Sequence, residues 1–371
     1  MKNLLDRYVK IIDWYIIKKY LGTFLFTMVI FMVIMVVFDI SEHLDNFLTN
    51  HDSVYDIAFK YYIGFIPFYL NMLFPLINFL AVIFFTAKMA NQTEIVPILS
   101  GRASFNRFLR PYFIASSLIF IVAFFANVYL IPFTNAIRVK FENTNHFNGD
   151  NGSKNEVHLQ LENRIDKQTY VYVQSYDNAV HTGYQFVLEK FNGDALREKI
   201  VANTITYDSL KRRWTLHNYS IRYVNGLREK LVMNIPQKDT TLELRPGDFE
   251  MHDNVYSAMS LSELNKNIDQ ENIRGAGNMK DMQYEKYTRF IYPLASFVLT
   301  LIGVSISSRR VRGGIGLPLG IGLFLCFAYI VVVKFALVFS IKSGLPALVA
   351  AALPNVLFGI LGCYLLYKAP K

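Results

Sequence analysis

The 371-residue chain has only two cysteines, Cys326 and Cys363, and both lie in apolar segments. Its polar region therefore holds neither a disulfide nor a thiolate metal site, and cysteine usage does not report the compartment. No GxxxxGKS/T stretch occurs, so the chain has no P-loop with which to hydrolyse nucleotide itself. No HExxH occurs either, and the histidines (His43, His51, His146, His158, His181, His217 and His252) fall outside the apolar runs without ligand-like spacing. Gly303-Val304-Ser305-Ile306-Ser307 superficially resembles a nucleophile elbow but lacks its second glycine and is apolar, which fits close helix packing by small residues. Carboxylates are scattered without a visible catalytic pair. We expect no catalytic residues, no metal and no cofactor bound by this chain.

Charge is also scarce, at 18% of residues, with a net +9. No basic stripe interleaved with aromatics marks a nucleic-acid surface; Lys and Arg gather at the ends of apolar runs, as membrane topology and anionic-lipid contact require. What is abundant is apolar surface: 53% hydrophobic residues and a mean hydropathy of +0.25, concentrated at the two ends of the chain. Three regions follow. Residues 1–134 form a first membrane half, 135–287 a polar, tyrosine-rich insert large enough for its own core, and 288–371 a second membrane half.

Six stretches reach the ~20 apolar residues that a membrane span needs: Tyr20 to Ile40, Ile57 to Ala87, Pro111 to Phe133, Phe290 to Ser307, Ile315 to Ile341 and Leu345 to Tyr367. The opening MKNLLDRYVKIIDWYIIKK reads as an interfacial helix leading into the first span. The apolar run after it is too long for a signal peptide, so the first span is expected to remain in the mature protein. The N-terminal segment, the loop with Lys88, Arg102, Arg107 and Arg110, the loop with Arg309, Arg310 and Arg312, and the tail with Lys368 and Lys371 share one side. The positive-inside rule makes that side cytoplasmic, with both termini, and places the insert on the exported side.

Along the second span Pro67, Asn71, Pro75 and Asn78 recur on one helix face. They form either a kinked, polar-lined wall of a cavity or a packing stripe. Lys334 lies in the fifth span about two turns before its exported end, where a buried charge is costly; it either snorkels to the interface or faces an anionic amphiphile. Asp39 ends the first span on the same side, consistent with a plain end cap.

In the insert, EVHLQLEN, TYVYVQSYD, GYQFVLEKF, LREKIVANTITYD, RRWTLHNYSIRYV and LREKLVMNI carry the β-branched and aromatic residues of strands. Asn192-Gly193 and Asn225-Gly226 mark hairpins. The expected form is an antiparallel β sandwich or open jelly roll able to take an apolar chain between its layers. Ser260-Leu261-Ser262-Glu263 has capping-box spacing and starts a helix, with a linker around Gly275 and Gly277 returning to the bilayer.

The loop MANQTEIVPILSGRASFNRFLRP combines an acidic residue, a short apolar helix at about 91–101, a Ser-Gly-Arg break, a basic stretch and a proline. It resembles the cytoplasmic coupling helix of the lipopolysaccharide-export permeases, the LptF/LptG family. RFIYPLASFVLTLIGVSISSRRVRGGIGLPLGIGLF and GLPALVAAALPNVLFGILGCYLL resemble that family's last three spans, and the similarity runs from LDRY to the final helix. The IDWYIIKKYLG opening and the compact length stand nearer LptG.

The resemblance implies a permease half of an ABC transporter in the inner membrane of a Gram-negative bacterium. It would pair with a related subunit around a cavity and bind two copies of an LptB-type ATPase. It would pass lipopolysaccharide through its β domain to LptC/LptA-like jelly-roll bridge proteins. Carried over residue by residue, Glu94 is the acidic position of the coupling helix, Ile95, Ile98 and Leu99 its apolar docking face and Arg102 part of its basic stretch. The first and fifth spans become gate helices, with Asp39, Lys334, Asn71 and Asn78 as candidates to line the substrate cavity. A membrane-anchored sensor or assembly scaffold is the alternative, and it would need no ATPase-docking helix. A lipoprotein-releasing permease has a four-span plan that six spans do not fit.

Overall fold

The computed structural model of the chain describes residues 10–49, 53–101, 104–144, 157–164, 167–177, 180–209, 211, 213–242, 246, 253–274, 279–309 and 314–368. They fall into two compact units. One joins Met1–Asp45, Ser53–Ile137 and Gln283–Lys371; the other joins Asn46–Asp52 and Arg138–Met282.

In the first unit, six helical stretches among the described residues are long and apolar enough to cross a membrane. Span one is α1 (Ile11–Thr49). Span two is broken: α2 (Tyr62–Met72) ends at Leu73 and α3 (Phe74–Asn91) restarts with Pro75 in its first turn, where the missing N–H costs no internal bond. The short α4 (Ile95–Ser100) leads to α5 (Phe105–Phe125), which passes through a wider π-type turn, Ala126–Leu130, into α6 (Ile131–Thr144). Span four lies centrally, packing against spans two, three, five and six. Its Leu299 and Ile302 are fully buried, and a Cβ on Gly303 would stand 2.8 Å from Val82 Cγ1, so the small residues there serve close helix approach.

The second unit carries six antiparallel strands among its described residues: β1 (Val157–Arg164), β2 (Lys167–Asp177), β3 (Thr182–Asn192), β4 (Ala195–Asp208), β5 (Arg213–Asn225) and β6 (Arg228–Thr240). They pair in chain order, β1 to β6, in one sheet. The expectation of a sandwich or jelly roll thus narrows to its open form, with no crossover and no second sheet among the described residues. Gly193 (φ 58°) and Gly226 (φ 62°) take the left-handed conformation in the β3–β4 and β5–β6 turns, as the Asn-Gly pairs predicted.

Val173, Phe186, Leu188, Ala202, Ile205, Trp214 and Leu216 form the buried face of the sheet. Its alternation slips along one transverse row. Val173 and Tyr176, Gly183 and Phe186, Ala202 and Ile205, and Leu216 and Tyr219 are buried three positions apart instead of two. Gln185 (φ 53°) and Asn218 (φ 48°) lie on that row in left-handed backbone, as at a bulge. The rings of Tyr176 on β2 and Trp214 on β5 meet at 6.5 Å. In a flat sheet strands three apart are separated by ~14 Å, so this sheet curls around its apolar face.

Next come α7 (Asp253–Ala258), α8 (Leu261–Arg274), whose Leu264 is buried with Tyr256 and Met282, and α9 (Met279–Ile291). The capping box forms: Ser260 N–H donates to Glu263 Oε2 (2.8 Å), and Glu263 N–H donates to Ser260 Oγ (3.3 Å). The backbone donor of Ser260 holds the Glu263 carboxyl below its ordinary value of 4.5. The last elements are α10 (Ala295–Ser307), α11 (Gly316–Lys342) and α12 (Ala347–Lys368). The Gly275–Gly277 linker lies outside the described residues.

Candidate functional site

One cluster of polar groups in the first unit lies where the start of span one meets the loop between spans two and three. At the start of α1, Asp13 Oδ2 accepts from the backbone N–H of Lys10 (2.8 Å), which closes the first turn. Ser104 Oγ likewise accepts from Arg107 N–H (3.3 Å) and sets the start of α5. Each of these turns presents its third residue to the other. Arg107 Nη1 and Nη2 donate to Asp13 Oδ1 (2.7 Å) and Oδ2 (2.5 Å), a two-pronged, charge-assisted contact on a carboxylate buried to 4% exposure. A guanidinium at the positive end of a helix needs such an anion.

On the other side of α4, Glu94 accepts from Tyr15 Oη (2.9 Å) and pairs with Lys19 Nζ (3.7 Å), which also sits 4.4 Å above the Tyr15 ring. Between these contacts Ile95 is buried at 2% exposure with Ile16, Ile17, Met89, Ala90 and Phe105, and Ile98 and Leu99 pack partly buried on the same cluster. The face formed by Ile95, Ile98 and Leu99 therefore turns into the chain's own core. Ile95 is thereby engaged within the chain, Ile98 and Leu99 stay partly exposed, and the outward side of α4 is Val96, Pro97 and Ser100. An apolar helix face marks burial without naming what buries it. Arg102 lies outside the described residues.

At the residue after Lys19, the buried Tyr20 hydroxyl bonds Asn78 Oδ1 (2.7 Å) and Thr300 Oγ1 (2.8 Å), and Asn78 Nδ2 donates to the carbonyl of Ser296 (3.3 Å). The Tyr20 ring stacks on Phe85, which stacks on Tyr112. From Leu21 to Phe38 no residue of span one is buried. The helix is then held again at Asp39, whose Oδ1 and Oδ2 accept from Tyr61 Oη (2.8 Å) and Tyr62 Oη (2.9 Å), with His43 Nδ1 at 3.1 Å from Oδ1. Tyr61 ends a wide π-type turn, Ile57–Tyr61.

The remaining candidates are dispersed. Asn71 exchanges two amide hydrogen bonds with Asn127 (3.0 and 2.8 Å), so both asparagines of the second-span stripe join helices. Lys334 is exposed on α11 beside Phe335 and Val331, with no acidic partner among the described residues. In the sequence Arg107 is legible only as a loop charge; the signal for its partner is Asp13, a lone carboxylate among Ile11, Ile12 and Trp14 that something must pair with.

Six apolar spans, a β unit inserted between the third and fourth, and a short helix bridging the second and third define a polytopic membrane protein. The family model described as lipopolysaccharide export system permease LptF/LptG matches residues 14–368. The chain belongs to that family, and is a multi-pass permease of the bacterial inner membrane. No curated protein matches it.

Proposed function

We propose that this permease extracts lipopolysaccharide from the inner membrane as one half of a heterodimer with a related subunit, driven by two copies of an LptB-type ATPase. The family match across 14–368 carries the reading. The positive loops favour a cytoplasmic α4, with both termini on that side and the β unit periplasmic. The ATPase then meets the outward face of α4, Val96, Pro97 and Ser100, and the energy of ATP reaches the spans through that contact.

Spans one and five flank the substrate. Both carry long, exposed apolar faces, and Lys334 offers a cation among them for phosphorylated sugar. The curled sheet, with its single apolar face, receives the acyl chains and hands them to LptC/LptA-like bridge proteins. The chain performs no covalent chemistry.

The test is photocrosslinking in cells from a probe at Lys334, with a probe at the exposed Ile360 of span six as control. Lipopolysaccharide adducts selective for Lys334, lost when the ATPase is depleted, are expected. Equal labelling at both positions would make Lys334 a snorkelling residue, and export that continued at the normal rate without the ATPase would refute the energy coupling.

A further inference from the structure

Resting on that permease reading, we propose that Asp13, Tyr15 and Lys19 at the start of span one form a two-point clamp on the coupling segment. The clamp grips Glu94, the residue before α4, and Arg107 in the first turn of the following α5, and makes a displacement of the coupling segment swing span one.

Three observations carry this. First, two turns of one helix reach both flanks of a six-residue helix: Asp13 to Arg107 on one side, Tyr15 and Lys19 to Glu94 on the other. Ile95 closes the space between them against Ile16 and Ile17. A short helix whose entry and whose following helix are both tied to the foot of α1 passes its displacement on to that foot. Second, α1 is continuous for 39 residues with no proline, so motion at its foot is not absorbed along its length; twenty residues of helix span about 30 Å. Third, among the described residues the polar contacts of α1 with other helices are confined to its two ends. Between Tyr20 and Asp39 it presents only unburied or half-buried side chains, mostly apolar, and these do not distinguish a neighbouring helix from lipid. Tyr20, hydrogen-bonded to spans two and four, is the pivot, and Asp39 with Tyr61 and Tyr62 is the catch at the far end.

Glu94 is thus a positioning residue acting through span one, and its carboxylate is engaged inside the chain. Asp13 and Arg107 hold the same role at the other flank. The two grips differ in strength: the fork is buried on the Asp13 side, whereas the Glu94 cluster is about one-third exposed and is screened.

The experiment uses the assembled complex with its partner permease and ATPase, in liposomes containing lipopolysaccharide. It reads lipopolysaccharide released per ATP hydrolysed. A second reading is the distance between spin labels at Val37→Cys on span one and Leu348→Cys on span six, both exposed, in a Cys363→Ser background, with and without ATP. Asp13→Asn and Arg107→Gln are expected to lower release per ATP roughly tenfold while hydrolysis continues, because a charge-assisted bond is lost. The nucleotide-dependent change in label distance should disappear with it. The exchanged pair Asp13→Arg with Arg107→Asp should recover both readings. Tyr15→Phe, which removes one exposed hydroxyl and leaves folding intact, is expected to lower release per ATP about twofold.

Unchanged release per ATP and an unchanged distance shift in the single variants would overturn the clamp. So would equal loss in the single and exchanged variants when Tyr15→Phe has no effect. Absence of lipopolysaccharide release from the unaltered complex would instead refute the permease reading itself.

Discussion

Polar and apolar residues exchange roles between the two units of this protein. In the β unit the apolar face of the sheet supplies the core, with Phe186, Ile205 and Trp214 buried, while ion pairs such as Lys190–Glu198 and Arg222–Glu229 lie outside. In the membrane unit apolar side chains are everywhere and cover the outside, as with Phe26, Phe324 and Ile360, while the interior joins are polar: Tyr20 to Asn78 and Thr300, Asn71 to Asn127, Tyr329 to Asn355. The solvent explains the inversion. In water, burying a phenylalanine is itself favourable; in lipid it distinguishes nothing, so hydrogen bonds and close approach of small residues decide which helices meet.

Four substitutions press on that contrast. Trp214→Ala empties the centre of the sheet and is expected to destabilise the β unit by ~3–5 kcal/mol. Hydrogen exchange on the intact chain should show deprotection of β2 to β5 with the spans unchanged; loss of protection in the spans as well would mean that the two units do not hold separate cores. Gly303→Val drives a branched side chain against Val82 and Phe79, neither of which can withdraw easily, and is expected to cost ~1–3 kcal/mol in the membrane unit. The readout is the denaturant midpoint in detergent, and a midpoint equal to that of the unaltered protein would contradict the packing argument.

Tyr20→Phe keeps the stacked ring but removes the hydroxyl shared by Asn78 and Thr300. It is expected to cost ~1–2 kcal/mol, more than removing a surface hydroxyl from the β unit, and to loosen span one in distance measurements. The smallest effect belongs to Glu263→Gln at the start of α8, where loss of the ionised capping partner is worth below ~1 kcal/mol. Its sign with pH follows from a carboxyl held below its ordinary value: the contribution is complete above pH 4.5 and fades as pH falls through the lowered value. The gap between the unaltered chain and Glu263→Gln should therefore close in acid, as a thermal melt of α8 followed by exchange would show.

Much of the architecture is legible from local chemistry. The spans announce themselves by length and apolarity, the hairpins by Asn192-Gly193 and Asn225-Gly226, and the start of α8 by Ser260 and Glu263, because each of these choices is made within a few neighbouring residues. The loop from Glu94 to Arg110 was equally visible as a distinctive segment. Its use inside the chain was not. Asp13 and Arg107 are 94 positions apart, Tyr20 and Thr300 are 280 apart, and nothing in a spacing pattern announces such pairs. The slip in the sheet's alternation at Gln185 and Asn218 was hidden for a related reason, since polar residues are tolerated on either side of an exposed row.

By itself, then, the sequence determined what each segment is: which runs belong in lipid, which in water, where helices begin and where strands turn. Only the tertiary structure decided what each polar side chain faces. It turned Ile95 inward, engaged Glu94 and Arg107 with the foot of span one, and bound Asn71 and Asn78 between helices. The physical reason is that burial and secondary structure follow from the transfer free energies of neighbouring residues, whereas a hydrogen bond or ion pair exists only when two distant segments have already been brought within ~3 Å.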